Sequence, residues 1–230
     1  MSKSPAIFDD QYRGCEDQME KIITDGLLDK ELREHSEFKS AWETAKSLWY
    51  NSIKAKVQPT LPYGFKDEYG IAIVAYTGSI YRQFNEAARE VGTSSKKYKS
   101  NFPFKSLHYY LTAALRNLIS CTKNTVYRGV GNIHFMSPKE GNELRFGQFT
   151  STSSNKNVAL HFGNDSFFEI RTCYGVPIAK FSQYSSEEEV LVLGNEVFTV
   201  KSFDQRTNRF LLDSTQQTCS FFNCAYFEGQ

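Results

Sequence analysis

The stretch Tyr184-Ser-Ser-Glu-Glu-Glu-Val-Leu-Val192 joins three consecutive carboxylates to an apolar, β-branched run. The run 190–193 predicts a buried strand with Glu189 at its mouth. In extended geometry alternate side chains share a face, so Glu187 and Glu189 would point one way and Glu188 the other. Two such charges at ~7 Å repel by about 2 kcal/mol when the effective dielectric is near 20. A cleft that receives a cation would benefit from this pair, whereas an isolated acidic run is usually a solvated turn.

Two upstream motifs also place a polar side chain at the edge of a predicted strand. They are Val126-Tyr-Arg-Gly129 and Phe149-Thr-Ser-Thr-Ser153. Taken alone, Arg128 fits a structural ion pair and Ser151 an ordinary strand-end serine. The three motifs together predict a functional site.

The totals exclude several classes of protein. The chain has 230 residues, long enough for one large domain or two small ones, and a formal net charge of +1. No basic block is present, so nucleic acid is a poor partner. No apolar run approaches the ~20 residues that a membrane-spanning helix needs.

The character of the chain changes after Cys121. Up to about residue 120, apolar residues recur at helical spacing, with breaks expected at Gly26, at His35 and at a joint around Ser79, which is a plausible helix cap. From 121 to about 228, short strand-like runs alternate with Gly, Asn and Ser. An α+β fold is therefore predicted. The expected strands are 125–127, 144–150, 167–172, 175–181, 190–193, 197–203, 209–212 and 220–226, with a short helix at 158–162.

Five cysteines are present, and none has the spacing of a metal site. Disulfides, an oxidising compartment and no bound metal are therefore expected. Asn164-Asp-Ser166 fits a glycosylation acceptor, which agrees with secretion.

Arg128, Ser151 and the Glu187/Glu189 pair, in this order, resemble the vertebrate ecto-mono-ADP-ribosyltransferases of the Arg–Ser–Glu class. Shared segments run through nearly the whole chain: Phe8-Asp-Asp-Gln-Tyr12, Ala75-Tyr-Thr-Gly78, His108-Tyr-Tyr-Leu111, Arg145-Phe-Gly-Gln-Phe-Thr-Ser-Thr-Ser153 and Phe221-Phe-Asn-Cys224. The resemblance implies a single catalytic domain, 1–230, in which a helical half packs on a β-sandwich core.

The resemblance also implies the chemistry: NAD is the substrate, its N-glycosidic bond is cleaved, and ADP-ribose passes to a protein side chain. Glu189 would accept from the ribose 2′-hydroxyl and stabilise the oxocarbenium-like ribose. Ser151 would orient Glu189, and Arg128 would hold a phosphate or the phosphate-linked ribose.

Glu187 bears on the acceptor. In the family, Glu at this position accompanies transfer to arginine, and Gln accompanies mainly NAD hydrolysis. A second carboxylate can bind a guanidinium, orient it and withdraw charge as the new bond forms. Arginine-bearing proteins are therefore the expected acceptors. An NAD glycohydrolase and a catalytically silent ligand-binding ectodomain are the alternatives.

Further contacts are implied at supporting positions. Gly129 would let the backbone approach nicotinamide, and Phe162 would stack on it unless it packs in the core. Asn85 and Arg89 would contact the nucleotide unless they form an exposed helix face. Tyr184 would lie on the acceptor-recognition turn unless it is a plain surface aromatic.

The resemblance pairs Cys15 with Cys224 and Cys121 with Cys173, and it leaves Cys219 without a partner. The first bond would tie the helical start to the final strand. An extracellular protein is implied, either secreted or held at the cell surface by a glycolipid anchor.

Overall fold

A computed structural model describes residues 7–135 and 139–228. Their contacts define two compact units. The β-rich unit includes Ile119–Ala179 and Tyr184–Cys219, and the helical unit includes most of Pro5–Leu118 together with Lys180–Gln183 and the chain from Ser220. The single domain predicted for 1–230 also takes in 1–6, 136–138 and 229–230, which lie outside the described residues.

The helical unit is a succession of helices and short π- or 3-10 segments. The α-helices of the unit are α1 Glu16–Ile22, α2 Leu28–Glu34, α3 Ser36–Leu48, α4 Lys54–Val57, α5 Asp67–Tyr76, α6 Tyr81–Val91, α7 Ser95–Asn101 and α8 Lys105–Leu118. The breaks expected at Gly26 and His35 are both present. Gly26 has φ +125, a conformation that side chains with a Cβ disfavour, and it lies in a π-helical turn between α1 and α2.

Helix α5 forms the centre of this unit. Its residues from Tyr69 to Tyr76 are all buried, as expected for a helix that is apolar all round. It packs against α3, which contributes Phe38 and Trp42, and against α8. Helix α8 buries an apolar stripe that includes Leu107, Leu111, Ala114 and Leu115, as the helical spacing before residue 120 predicts.

One local expectation in this unit is corrected, and one further helix was not predicted. Ser79 does not cap α6: the N-cap is Ile80, and no side chain caps the helix. The polar segment after Gly92 contains α7, whose first turn is capped by the Ser94 hydroxyl accepting from the Lys97 amide. The helix was missed because its sequence is almost entirely polar.

The described residues of the β-rich unit form an eight-stranded sheet. The strands are β1 Asn124–Val130, β2 Glu143–Leu144, β3 Thr150–Ser153, β4 Ser166–Thr172, β5 Val176–Pro177, β6 Glu189–Val192, β7 Glu196–Asp204 and β8 Arg209–Thr218. Their order is β2-β7-β8-β4-β1-β3-β6-β5. Helix α9, Lys156–His161, follows β3 and matches the short helix expected there.

The α+β class is confirmed, and the hydrogen-bonded ladder is one continuous sheet. A single apolar cluster nevertheless takes residues from strands near both ends of the order, including Leu144 of β2, Phe198 of β7 and Val192 of β6. The two ends of the sheet therefore share one core, as the layers of a sandwich do.

The strand expected at 220–226 is absent, because its backbone N–H groups pair with side chains instead of a neighbouring strand. Asp9 accepts from the amides of Phe221 and Phe222, and Asp10 accepts from those of Cys224 and Ala225. The expected strands at 144–150 and 175–181 shrink to β2, β3 and β5. The pairing of Asp9 and Asp10 with backbone amides leaves no local pattern in the sequence that could have predicted it.

Both predicted disulfides are present. Cys15 bonds to Cys224 and Cys121 bonds to Cys173. Cys224 lies in a turn instead of a final strand, and Cys219 is a free thiol.

Candidate active site

The pairing of β3 with β6 brings Ser151 to Glu189. These strands are antiparallel neighbours, with Ser153 opposite Glu189 and Ser151 opposite Leu191. Opposed residues of an antiparallel pair share a face, and diagonal neighbours are within side-chain reach. The Ser151 hydroxyl donates a hydrogen bond to the Glu189 carboxylate. Two of the predicted site residues therefore touch directly.

Glu189 is the buried carboxylate of the site, 6% exposed at the first residue of β6. Burial raises the pKa of Glu189 above its usual value, and the nearby Glu187 charge raises it further. The hydrogen bond from Ser151 and the Arg128 charge both lower it. Because Ser151, Glu187 and Arg128 each change the pKa of Glu189, all three lie close to its carboxylate.

The chain between the two carboxylates is not extended as expected. Ser185–Glu187 form a 3-10 turn, and Glu188 takes a left-handed conformation with φ +46. Glu187 nonetheless lies near Glu189, and burial raises the pKa of its carboxyl. The Glu188 carboxylate instead accepts from the Asn155 amide at 2.9 Å and from the Ser154 hydroxyl at 3.2 Å. The separation of Glu188 from the pair was predicted, although the geometry that produces it was not.

Arg128 lies half-buried on β1, the strand beside β3. Its guanidinium donates to the Ser151 carbonyl oxygen at 2.7 Å. This bond orients the side chain along the strand that carries Ser151. A guanidinium has several N–H donors and can bind more than one partner at a time. Phosphate binding by Arg128 stays a prediction.

Gly129 is required by the protein's own packing. A Cβ on Gly129 would lie 2.2 Å from the carbonyl oxygens of Ala159 and Gly163. The end of α9 therefore rests directly on the β1 backbone. Phe162, at the C-cap of α9, is 58% exposed, so the alternative of core packing for this ring is wrong.

Asn85 and Arg89 lie on α6 in the helical unit. Asn85 is 8% exposed and donates to the Tyr76 hydroxyl at 3.1 Å, while its amide oxygen has no hydrogen-bond partner among the described residues. An exposed helix face is therefore wrong for Asn85, whereas Arg89 is exposed. Nucleotide contact by these two residues stays a prediction.

Three residues of the site were missed by sequence reasoning. The Ser153 hydroxyl donates to the Glu187 carbonyl oxygen at 2.7 Å and accepts from the backbone N–H of Asn155 at 3.0 Å. Ser154 and Asn155 hold Glu188 as described above. The only sequence signal was the polar run that continues past Ser153, which is typical of any loop.

The described residues contain neither a candidate metal site nor a membrane-spanning helix. Residues 7–135 and 139–228 contain no group of three or more His, Cys, Asp or Glu side chains arranged to hold a metal ion. In the same residues, no helix has the length and apolar character needed to span a bilayer.

Comparison with known proteins decides the family. Residues 1–220 match the family described as "ART: NAD:arginine ADP-ribosyltransferase". The chain belongs to this family. It is thereby an NAD-dependent mono-ADP-ribosyltransferase, and NAD is its substrate.

Relatives of this transferase match over almost the whole chain. Ecto-ADP-ribosyltransferase 5 of Bos taurus is 43% identical over 238 residues, covering 98% of the chain and 74% of the relative. T-cell ecto-ADP-ribosyltransferase 1 of Rattus norvegicus is 42% identical, covering 98% and 80%. Both relatives are named ecto-enzymes, which indicates an extracellular or cell-surface location for the transferase.

Solved structures agree with the fold. The crystal structure of the mono-ADP-ribosyltransferase ART2.2 superposes with a TM-score of 0.83 at 40% identity, covering 98% of each chain. A mutant of ART2.2 in complex with NAD superposes with a TM-score of 0.84 at 40% identity, covering 98% of this chain and 97% of the other.

Proposed function

We propose that the transferase passes ADP-ribose from NAD to arginine side chains of acceptor proteins and releases nicotinamide. The observation that carries this proposal is the second carboxylate: Glu187 lies close enough to Glu189 to raise its pKa. A neighbouring anion is unfavourable for the fold alone, and it becomes favourable when a cation arrives.

Glu189 would act on the ribose. As the C1′–N bond breaks, its electron pair goes to the nicotinamide nitrogen, which becomes neutral, and positive charge develops on the ribose. Glu189, buried and held by Ser151, would accept from the 2′-hydroxyl and stabilise that charge. Because Glu189 is buried, water screens this interaction less than it would at the surface.

Glu187 would act on the acceptor. A guanidinium nitrogen attacks C1′, forms the new C–N bond and gives up one proton, which the Glu187 carboxylate would accept and pass to solvent. Glu187 is half-buried on the turn that precedes β6, where it can bind the guanidinium and disperse its charge. Tyr184 begins this turn and is 56% exposed, so its ring can also face the arriving cation.

Arg128 would hold a phosphate of NAD, or the ribose linked to it, while one of its nitrogens remains bonded to the Ser151 carbonyl. Asn85 and Arg89 would contact the nucleotide, and the unpaired oxygen of Asn85 supports a role as a hydrogen-bond acceptor. Phe162 would offer its exposed ring to nicotinamide.

Location is proposed in the same way. The two disulfides suit an oxidising compartment. Release from the cell and attachment by a glycolipid are the two forms of the proposal, and phospholipase treatment of cells expressing the protein separates them.

The experiment incubates the transferase and Glu187→Gln with NAD, with and without agmatine, and identifies the products by mass spectrometry. Losing a hydrogen bond to a charged group slows a step by roughly 10- to 100-fold. We expect agmatine transfer to fall by that factor in Glu187→Gln, and nicotinamide release without agmatine to change by less than about 3-fold. Equal transfer by both proteins would contradict the role of Glu187. Nicotinamide release that agmatine never affects, even in the unsubstituted protein, would identify water as the acceptor.

A further inference from the structure

Glu188, between the two proposed reactive carboxylates, is held in an unusual conformation. Its φ of +46 and ψ of +44 place it in the left-handed region, which a residue with a Cβ adopts only at a cost in free energy. Glu188 is also exposed, so packing does not impose the conformation. Something else in the structure must stabilise the turn.

Hydrogen bonds from Ser153, Ser154 and Asn155 supply that stabilisation; we call these three residues the 153–155 clamp. Ser153 Oγ donates to the Glu187 carbonyl oxygen, and the Ser154 amide donates to the Glu188 carbonyl oxygen at 3.1 Å. The Glu188 carboxylate then accepts one bond on each oxygen, from Ser154 Oγ and Asn155 Nδ2. Both backbone and side chain of the turn are therefore bound.

The clamp is itself anchored by secondary structure. Ser153 is the last residue of β3, and its hydroxyl accepts from the Asn155 amide. Asn155 is the N-cap of α9, where its side-chain oxygen accepts from the Asn157 amide at 3.0 Å. The amide group of Asn155 thus caps α9 through its oxygen and binds Glu188 through its nitrogen.

We propose that Glu188 is a positioning residue. Its carboxylate is hydrogen-bonded to the 153–155 clamp and keeps the turn folded, so that Glu187 stays beside Glu189. This inference rests on the proposed role of Glu187 at the acceptor. The Glu188 carboxylate is directed to Ser154 and Asn155, the two neutral donors of the clamp.

The central test compares Glu188→Ala and Glu188→Gln with the unsubstituted protein. Transfer to agmatine and NAD hydrolysis are measured together, with the KM for NAD. Loss of bonds to a charged group predicts a fall of about 10-fold in kcat/KM for agmatine in Glu188→Ala. Hydrolysis and the KM for NAD should change by less than about 2-fold, since Glu189 and Ser151 remain in place. Glu188→Gln keeps one oxygen acceptor and should be intermediate.

The partner side of the contact is tested with Asn155→Asp. This change keeps the oxygen that caps α9 but places a carboxylate against Glu188, so transfer should fall at least as far as in Glu188→Ala. In the double variant the repulsion is gone, and Asn155→Asp should add nothing to Glu188→Ala. Additive losses would overturn the direct contact. Glu140→Ala is the charge-matched control, because Glu140 is exposed and has no hydrogen-bond partner within the described ranges.

Amide hydrogen exchange over 184–188, measured without NAD, separates this inference from the proposed function. We expect faster exchange in Glu188→Ala and not in Glu187→Gln. If Glu187→Gln leaves transfer intact, the proposed function fails while the exchange result still reports on the clamp. If Glu188→Ala exchanges and transfers like the unsubstituted protein, or exchanges faster without any loss of transfer, the positioning role is overturned.

Discussion

Glu189 and Glu196 are two buried carboxylates of the same unit, and each is the first residue of a strand. Burial raises the pKa of both. Glu196 is saturated: it accepts from the Thr172 hydroxyl at 2.5 Å, from the amides of Cys173 and Tyr174, and from Ser214. Glu189 accepts from the Ser151 hydroxyl, and no other donor to its carboxylate is found among the described residues.

The difference distinguishes a structural carboxylate from one available for chemistry. A saturated group has no lone pair left for a ligand, and its donors depend on it. Glu189 keeps acceptor capacity and has a like charge nearby, an arrangement that stability alone does not favour. Burial and a shifted pKa are common to both residues, so neither property by itself locates the active site.

The largest expected effect comes from Glu189→Gln. If Glu189 stabilises the ribose cation, its neutralisation should lower both transfer and NAD hydrolysis by about 10²- to 10³-fold, as for other charge-stabilising groups. Stability should not fall. A raised folded-state pKa means that the contribution of Glu189 is favourable below the unfolded-state pKa and is lost as pH rises through the folded value. At neutral pH the Gln side chain avoids that loss. Nicotinamide release and urea denaturation measure the two quantities, and retained hydrolysis would refute the mechanism.

Glu196→Ala should behave in the opposite way. Its donors would be left buried and unpaired, so the free energy of unfolding should fall by about 3 kcal/mol. Activity per folded molecule should be unchanged, because Glu196 contacts the turn at Cys173 and has no role in the proposed chemistry. Urea denaturation with active-site titration checks this. A stable but inactive variant would erase the contrast between the two carboxylates.

The smallest effects concern the acid limb of the pH profile for NAD hydrolysis, where Glu189 must be ionised. Ser151 lowers the pKa of Glu189, so Ser151→Ala should move the limb to higher pH. Glu187 raises that pKa, so Glu187→Gln should move the limb to lower pH. The two variants serve as controls for each other, since a general disturbance would shift both limbs in the same direction.

The sequence was most informative where periodicity and motif agreed. The breaks at Gly26 and His35, the helical spacing before residue 120 and the strand after Glu189 all follow from local patterns. The pairing of β3 with β6 then brings Ser151 to Glu189. The disulfide partners and the roles of single residues came from the family resemblance, because spacing alone does not determine them.

What escaped prediction depends on long-range polar contacts. The segment after Ser220 has the sequence pattern of a strand, but Asp9 and Asp10 bind its backbone amides. The segment before β6 was predicted to be extended, but Glu188 is left-handed and is held by its partners at 153–155. In both places side chains distant in sequence satisfy the backbone, so no local rule could reveal the conformation.

The close approach of α9 to β1 affects how mutational tolerance at Gly129 should be interpreted. Any side chain there would collide with the backbone at Ala159 and Gly163, whatever ligand is bound. A saturation survey scored by enzyme activity would therefore mark Gly129 as intolerant even if nicotinamide never came near it. Intolerance at this position would report the packing of α9 on β1. Ligand contact is better tested at Phe162, because its exposed ring can be changed without disturbing that packing.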